Sequence, residues 1–425
     1  MKKFFYAVPI VVIMCSVAFF VDTTSLTDRN TTIKNIEKVT QFTKQLVAEN
    51  NQSRPFDIAR FSWEAEGARN NWSYYNGIMM FALLKTGQYQ DFVGQYYDDM
   101  LKEDGTVNNA RNMQNTSHLL DVDSVPPVRT LLYLSASENF DKYKKNIEDM
   151  RERLEKHPRL PFCGNNLKHQ ALNRWWQDFP LALDGLYMAL PFLVEYEYFS
   201  DQLNLNYKNP NINHSVFEGL NWVAHHMHNK SGLYYHVIAA DGKTVNGISW
   251  LRAVGWYAMA QVDIIEKIQD IKTKTKMIEQ LTTFFDAMLA VQDKNGMWKN
   301  VLYYDHENFH YWGVFNNSCN KYETSGSLMM AYALMKAYSK GYVTDQKYAT
   351  AGILAFNGTI HKYLHQGLNG QYILENIYRS TGASTNIYYY TDCNGYLENE
   401  AKGIAPLILA SQEAEKLLSL SNIKF

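Results

Sequence analysis

Six stretches run from a polar or small residue into Leu-, Met- and Ala-rich sequence that is apolar nearly all round. They are "NGIMMFALLKTG" from Asn76, "VPPVRTLLYLSA" from Val125, "DGLYMALPFLVEY" from Asp184, "RAVGWYAMAQVDII" from Arg252, "SGSLMMAYALMKAY" from Ser325 and "EAKGIAPLILASQEA" from Glu400. Their starts lie 49, 59, 68, 73 and 75 residues apart. A helix with no polar face is buried on both sides. Amphipathic stretches with one charged face alternate with them: "IKNIEKVTQFTKQLVAEN", "FDKYKKNIEDMRERLEKH", "KTKMIEQLTTFFDAMLAVQ" and "QKYATAGILAFNGTIHKYL" precede the first, third, fifth and sixth. Weaker patterns over residues 91–102 and 216–228 fill the two remaining places.

The alternation predicts six outer-plus-inner helical hairpins, each able to bury its apolar face only against its neighbours. An all-α (α/α)6 barrel, one domain over residues 33–418, meets this demand, with inner helices around a central cavity. An open solenoid of the same hairpins is the alternative. "SGLYYHVIAADGKTVNG" and "NGMWKNVLYYD", aromatic and Gly-rich, fall before inner helices and read as loops or short β-hairpins at one rim. Loops carried by a rigid scaffold are where function concentrates.

The first residues stand apart from this pattern. Lys2 and Lys3 precede an apolar run from Phe4 to Phe20, and Ser16 to Ala18 offers a small-x-small cleavage site. Residues 1–18 therefore read as a signal peptide and the mature chain as exported. Left uncleaved, the run to residue 20 would just span a bilayer and anchor the protein. Lipidation at Cys15 is disfavoured by Met14 before it. Cys163, Cys319 and Cys393 permit at most one internal disulfide and have no metal-ligand spacing. Asn-x-Ser/Thr acceptors at Asn30, Asn51, Asn71, Asn115, Asn213, Asn229, Asn316 and Asn357 leave glycosylation open.

A formal charge of −2 gives no reason to expect nucleic acid or an anionic membrane surface as partner. The 30 Tyr, 21 Phe and 9 Trp point elsewhere, because Tyr and Trp offer sugars a flat apolar face with a polar edge.

Residues heading the inner helices converge on one mouth of the cavity. Tyr74, Asn76, Asp123, Asp184, Arg252, Glu323, Thr324 and Ser325 stand there, with His236 and Trp250 on the loop before Arg252. Two acids, an arginine, a histidine and aromatics around one opening suit glycoside chemistry. Each also has a plainer role. Asp123 before "SVPP" and Asp184 before its apolar run are good helix caps, as is Glu323. His236 is well placed for a rim hydrogen bond, Arg252 for pairing with a carboxylate, and Trp72, Trp298 and Trp312 for packing.

"LDGLYMALPFLVEY", "GLYYHVIAADG" followed by "SWLRAVGWYAMAQVD", and "YETSGSLMMAYALMKAY" resemble signature blocks of the unsaturated rhamnogalacturonyl hydrolases, glycoside hydrolase family 105. The unsaturated glucuronyl hydrolases of family 88 are related. "NWSYYNGIMMFALL" and "DVDSVPPVRTLLYL" match more loosely, and the likeness runs over about residues 35–415. The resemblance implies an (α/α)6 barrel that uses neither cofactor nor metal and takes an oligosaccharide substrate, with no stable protein partner. It implies removal of a 4,5-unsaturated uronic acid from the non-reducing end of lyase-generated oligosaccharides. A carboxylic acid protonates C4, water adds at C5, and the resulting hemiketal rearranges and releases the sugar.

The resemblance assigns the principal acid/base to Asp184 and its partner to Asp123. It places Tyr74, His236, Trp250, Arg252 and Trp256 on the substrate. Protonating carbon requires an acid still protonated near neutral pH, so Asp184 is expected to be desolvated or to face a like charge. Its helix N-terminus would oppose this. One departure matters: "DFPLALD" stands where family members have a "PHQMWLD"-like segment, so Ala182 replaces a Trp. Trp175 and Trp176 lie upstream in an enlarged loop over residues 161–179. The expected function is an exported hydrolase of unsaturated, pectin-type uronyl oligosaccharides. An ordinary (α/α)6 glycosidase and an inactive carbohydrate-binding barrel are the alternatives.

Overall fold

The computed structural model describes residues 23–52, 72–102, 105–107, 121–138, 141–170, 178–305, 316, 318–391 and 395–420. Among these residues, after a single turn at Thr23–Leu26, twelve helices alternate between two layers. The outer ones are α1 (Arg29–Gln52), α3 (Gln90–Met100), α5 (Lys144–Lys156), α7 (Ile212–His226), α9 (Ile271–Leu289) and α11 (Gln346–Tyr363). The inner ones are α2 (Tyr74–Lys85), α4 (Val125–Glu138), α6 (Leu183–Phe199), α8 (Leu251–Lys267), α10 (Thr324–Ser339) and α12 (Ala401–Ser419). Inner helices begin within two residues of the positions read from the apolar runs. Each inner helix packs on the next, and α12 packs back on α2. That last contact closes the ring and excludes the open solenoid.

Close approach within the ring is set by small residues. A Cβ on Gly77 would lie 2.5 Å from the backbone nitrogen of Pro127, so α2 and the first turn of α4 meet at this distance only with glycine there. Side-chain caps fix several helix starts: Asp270 for α9, Asp345 for α11, Glu323 for α10 and Glu400 for α12. Trp72 and Trp298 are buried packing residues, as expected; Trp312, Trp175 and Trp176 lie outside the described residues.

Inside the ring, beneath the mouth, four inner helices are cross-linked by charge. Arg129 donates from Nε and Nη2 to both oxygens of Glu195, at 2.7 and 2.6 Å, and from Nη2 to Asp263 at 2.8 Å. Lys336 donates to Asp263 at 2.7 Å, and the Tyr133 and Tyr332 hydroxyls donate to Glu195 and Asp263. Arg129 also donates from Nη1 to the Tyr187 hydroxyl, and the Tyr187 ring stacks on Trp256 at 4.9 Å. The lattice thus supports the cavity floor. Removing Arg129 alone would leave Glu195 and Asp263 short of their shared cation. Arg129→Met is therefore expected to lower stability by about 3–5 kcal/mol, read from the midpoint of urea unfolding; an unchanged midpoint would contradict the role given to this lattice.

Among the described residues, ten short strands form five antiparallel pairs: β1 (Arg159–Leu160) with β2 (Asn166–Leu167), β3 (Leu181–Ala182) with β4 (Val237–Ile238), and β5 (Ile248–Trp250) with β6 (Val301–Tyr304). The others are β7 (Leu364–Gln366) with β8 (Tyr372–Leu374), and β9 (Ile377–Tyr378) with β10 (Tyr396–Leu397). The β3–β4 and β5–β6 ladders tie together loops far apart in the chain, holding the heads of α6 and α8 at the rim.

Cys163 and Cys319 are free thiols, and Cys393 lies outside the described residues. Asn229 and Asn357 are buried, so the fold removes both from the glycosylation acceptors. Among the described residues no helix is long and apolar enough to cross a membrane; the leader, residues 1–18, and its anchor reading to residue 20 lie outside them.

Candidate active site

A cavity of about 340 Å³ opens at the N-terminal ends of the inner helices. Tyr74 comes from α2, Asp123 from the turn before α4, and Asp184 and Met188 from α6. Trp250 stands on β5, Arg252 and Trp256 on α8, and Lys402 on α12. His169 and Gln170 enter from the segment before β3, and Ser380 to Gly382 from the loop after β9. Six of the seven residues expected from sequence line this one cavity. His236 does not: it is fully buried and meets Asp184 from outside the cavity wall.

The plainer reading of both acids fails for a local reason. Asp121, not Asp123, caps the 3-10 turn Val122–Ser124 by accepting from the Asp123 N–H at 3.0 Å. The residue in the capping position of α6 is Ala182, which has no side-chain acceptor, and Asp184 already stands in the first turn. Neither acid occupies a capping position. Glu323, by contrast, accepts from the N–H groups of Ser325 and Gly326 and from that of Tyr378, and is structural.

The two acids differ in their surroundings. Asp123 is pushed up to about 7, first by burial and then by the charge of Asp184, against a lowering hydrogen bond from Gln170. Burial pushes Asp184 up too, but His236, His169 and the residue's own N–H outweigh it and hold Asp184 below the ordinary carboxylate range. Nε2 of His236 lies 3.1 Å from Oδ2 of Asp184. The side chains keep 25% and 16% exposure respectively, so solvent reaches both through the cavity. The expectation that Asp184 is the raised acid is therefore reversed. Asp123 is the raised acid, through burial and the charge of Asp184, while a histidine stands against Asp184 and only a distant one against Asp123.

That distant histidine is His169, whose Nε2 lies 3.9 Å from Asp123 Oδ1 and which burial pulls down toward the neutral imidazole. It supplies from the enlarged loop the kind of side chain missing just before "LALD". Its packing explains the glycine of that block. A Cβ on Gly185 would lie 2.5 Å from His169 Nδ1.

Opposite the acids stand two buried cations. Arg252 donates from Nη2 to the carbonyls of Tyr378 and Arg379, while its Nε and Nη1 have no hydrogen-bond partner among the described residues. Lys402 is held by Glu400 at 3.1 Å and Ser380 Oγ at 2.9 Å, with its ammonium 4.5 Å from the Tyr75 ring centre. Around the ring, acids stand at the heads of α4 and α6 and Arg252 at that of α8, while at the head of α12 Lys402 is paired with the capping Glu400. In a larger cavity of about 570 Å³ at the opposite end, Glu266 is paired with Lys336 and Lys340, and Glu413 with Lys416.

A closed six-hairpin ring with a carboxyl pair at its mouth defines a class of carbohydrate-cleaving enzymes. The sequence model of Glycosyl Hydrolase Family 88 matches residues 39–418, and the chain belongs to that family; it is a glycoside hydrolase acting on oligosaccharides. A glycoside hydrolase from family 105 of C. acetobutylicum has a similar fold, with a TM-score of 0.70 and 24% identity, over 87% of this chain and 98% of that one. An unsaturated glucuronyl hydrolase from Bacillus sp. GL1 aligns at a TM-score of 0.60 and 12% identity, over 90% of this chain and 96% of that one. The 24.9 kDa protein in picA locus of Rhizobium radiobacter is 27% identical over 186 residues, covering 39% of this chain and 71% of that protein.

Proposed function

We propose that this enzyme removes a 4,5-unsaturated uronic acid from the non-reducing end of pectin-type oligosaccharides by hydrating the C4=C5 bond. One observation carries the reading. A carboxyl pair, with Asp123 pushed up to about 7 and Asp184 held low, shares one cavity with two buried cations. Arg252 and Lys402 receive the uronate carboxylate, which orients the ring so that C4 and C5 meet the acids. Trp250, Trp256 and Tyr74 give the sugar its apolar and stacking surfaces.

The substrate carboxylate adds a second negative charge beside a pair that already carries one, which raises both acids, and the proton passes from Asp123 to Asp184. Transfer of that proton to C4 leaves Asp184 ionised. As a carboxylate it accepts a proton from the water whose oxygen bonds to C5. The pair ends the turnover as it began, and the C5 hemiketal opens to release the sugar. Asp123 is the proton's resting place and the like charge that keeps it available.

The test is the purified chain with a lyase-generated unsaturated pectin disaccharide, followed by ultraviolet absorbance of the conjugated double bond. Absorbance is expected to fall. No loss over a panel of unsaturated uronyl substrates, from demonstrably folded protein, would favour ordinary glycosidase action or binding without turnover. Export rests on the leader at residues 1–18, and a mature chain still carrying those residues would count against it.

A further inference from the structure

Tyr390 ends a 3-10 turn, Ile387–Tyr390, and its side chain is fully enclosed. Its hydroxyl oxygen lies 2.8 Å from His236 Nδ1, 3.1 Å from Asn246 Nδ2 and 3.3 Å from the Ser384 N–H nitrogen. It is also 3.2 Å from the Ser384 carbonyl and 3.4 Å from that of Gly382. A phenol brings one proton and its lone pairs, so these five neighbours cannot all be served alike.

Two of the five bring their own hydrogen. The Ser384 N–H can only donate. The amide of Asn246 is oriented by its other end, since Oδ1 accepts from the Ile248 N–H at 3.3 Å, which leaves Nδ2 to donate to Tyr390. The single phenolic proton then has three acceptors. The Ser384 carbonyl already accepts from Asn246 Nδ2 at 2.9 Å, and the Gly382 carbonyl is the most distant. His236 Nδ1 is the shortest contact.

We propose that Tyr390 is a positioning residue: it donates to Nδ1 of His236 and so fixes the tautomer that points Nε2–H at Asp184. The other tautomer would set a ring lone pair against the Asp184 oxygen 3.1 Å away. With the N–H toward it, the carboxylate is held in place. The group fixing a catalytic histidine's tautomer is commonly a carboxylate; here a phenol held protonated by burial does it.

The same hydroxyl gathers one wall of the cavity. Gly382 lines the cavity, and Ala383 packs against Ala182 and Val237. The loop therefore covers the position from which the family's usual Trp is missing. Tyr390 ties that loop to the histidine behind the acid. The catalytic consequence rests on the function proposed above; the tautomer itself does not.

The test is Tyr390→Phe in the full chain, which keeps the ring packed 5.5 Å from His236 and 5.9 Å from Trp250. The probe is 15N NMR of histidine-labelled protein, with the His236 signals assigned by their loss in His236→Gln. Wild-type His236 is expected to carry its proton on Nε2. In Tyr390→Phe the ring is expected to shift toward the Nδ1–H form, and kcat to fall by about 10- to 100-fold with KM changed far less. Wild-type His236 protonated on Nδ1, alone or together with Nε2, would overturn the proposal, even if the variant failed to fold. Retention of Nε2–H with unchanged kcat in the variant would do so as well. The tautomer needs no substrate, so inactivity of the wild type on uronyl substrates would sink the functional reading while leaving this one standing.

Discussion

Asp184→Asn is expected to leave the double-bond absorbance of an unsaturated uronyl disaccharide essentially unchanged over times in which the wild type exhausts it. The expected fall in kcat is at least about 10³-fold, near the upper range for losing a general acid–base group. The fold should be untouched, because no side-chain cap or lattice contact depends on Asp184. Substrate should still bind, because Arg252, Lys402 and the aromatic wall remain. A second readout separates this from general damage. Asp184 contributes to the raised state of Asp123, so in the variant the Asp123 carboxyl, followed by 13C NMR, should titrate at lower pH. An active Asp184→Asn variant, with Asp123 unmoved, would dismantle the shared-proton site.

Asp123→Asn removes the proton's resting place and is expected to lower kcat by about 10²–10³-fold. It carries an opposite effect on stability, and the sign follows from its titration. A carboxyl raised to about 7 in the folded state and ordinary in the unfolded one favours folding when protonated. As pH rises from the ordinary carboxyl value through 7, the folded state is penalised for ionising it. The asparagine variant escapes this penalty. Its melting temperature should exceed that of wild type at pH 8, with the difference vanishing below about pH 4. A variant no more stable than wild type at pH 8 would show that Asp123 titrates normally. A more stable but slower enzyme is the usual signature of a group strained for function.

The barrel was legible because an inner helix has to be apolar on all sides while an outer one is not. The starts of α6 and α8 could be read to within a residue from Asp184 and Arg252. Closure could not be read that way, since a ring and an open solenoid present the same alternation, and only the packing of α12 on α2 separates them. At the site, the heads of helices were the right places to look, and Lys402 was reachable by that rule in "EAKG". His169 was not, because it arrives from a loop whose path depends on two-residue ladders with no periodicity to read. His236 carries the chemistry expected of a rim residue but lies a layer behind. Its neighbour on the ladder, Val237, pairs with Ala182 directly before the α6 head, which brings the histidine against Asp184. The plausible caps misled for a simpler reason: Asp121 takes one capping position and Ala182 leaves the other without a side-chain acceptor.

Arg29, at the start of α1, donates from Nη1 to the Leu418 carbonyl near the end of α12 at 2.9 Å. The ring therefore has no first hairpin in any mechanical sense. A short peptide from the end of α12 to the start of α1, with a new opening in the turn between α8 and α9, would keep every helix pair and every cavity residue. Such a circular permutant should fold and turn over substrate as the parent does. The order of hairpins along the gene would then be an accident of history that the enzyme itself does not use.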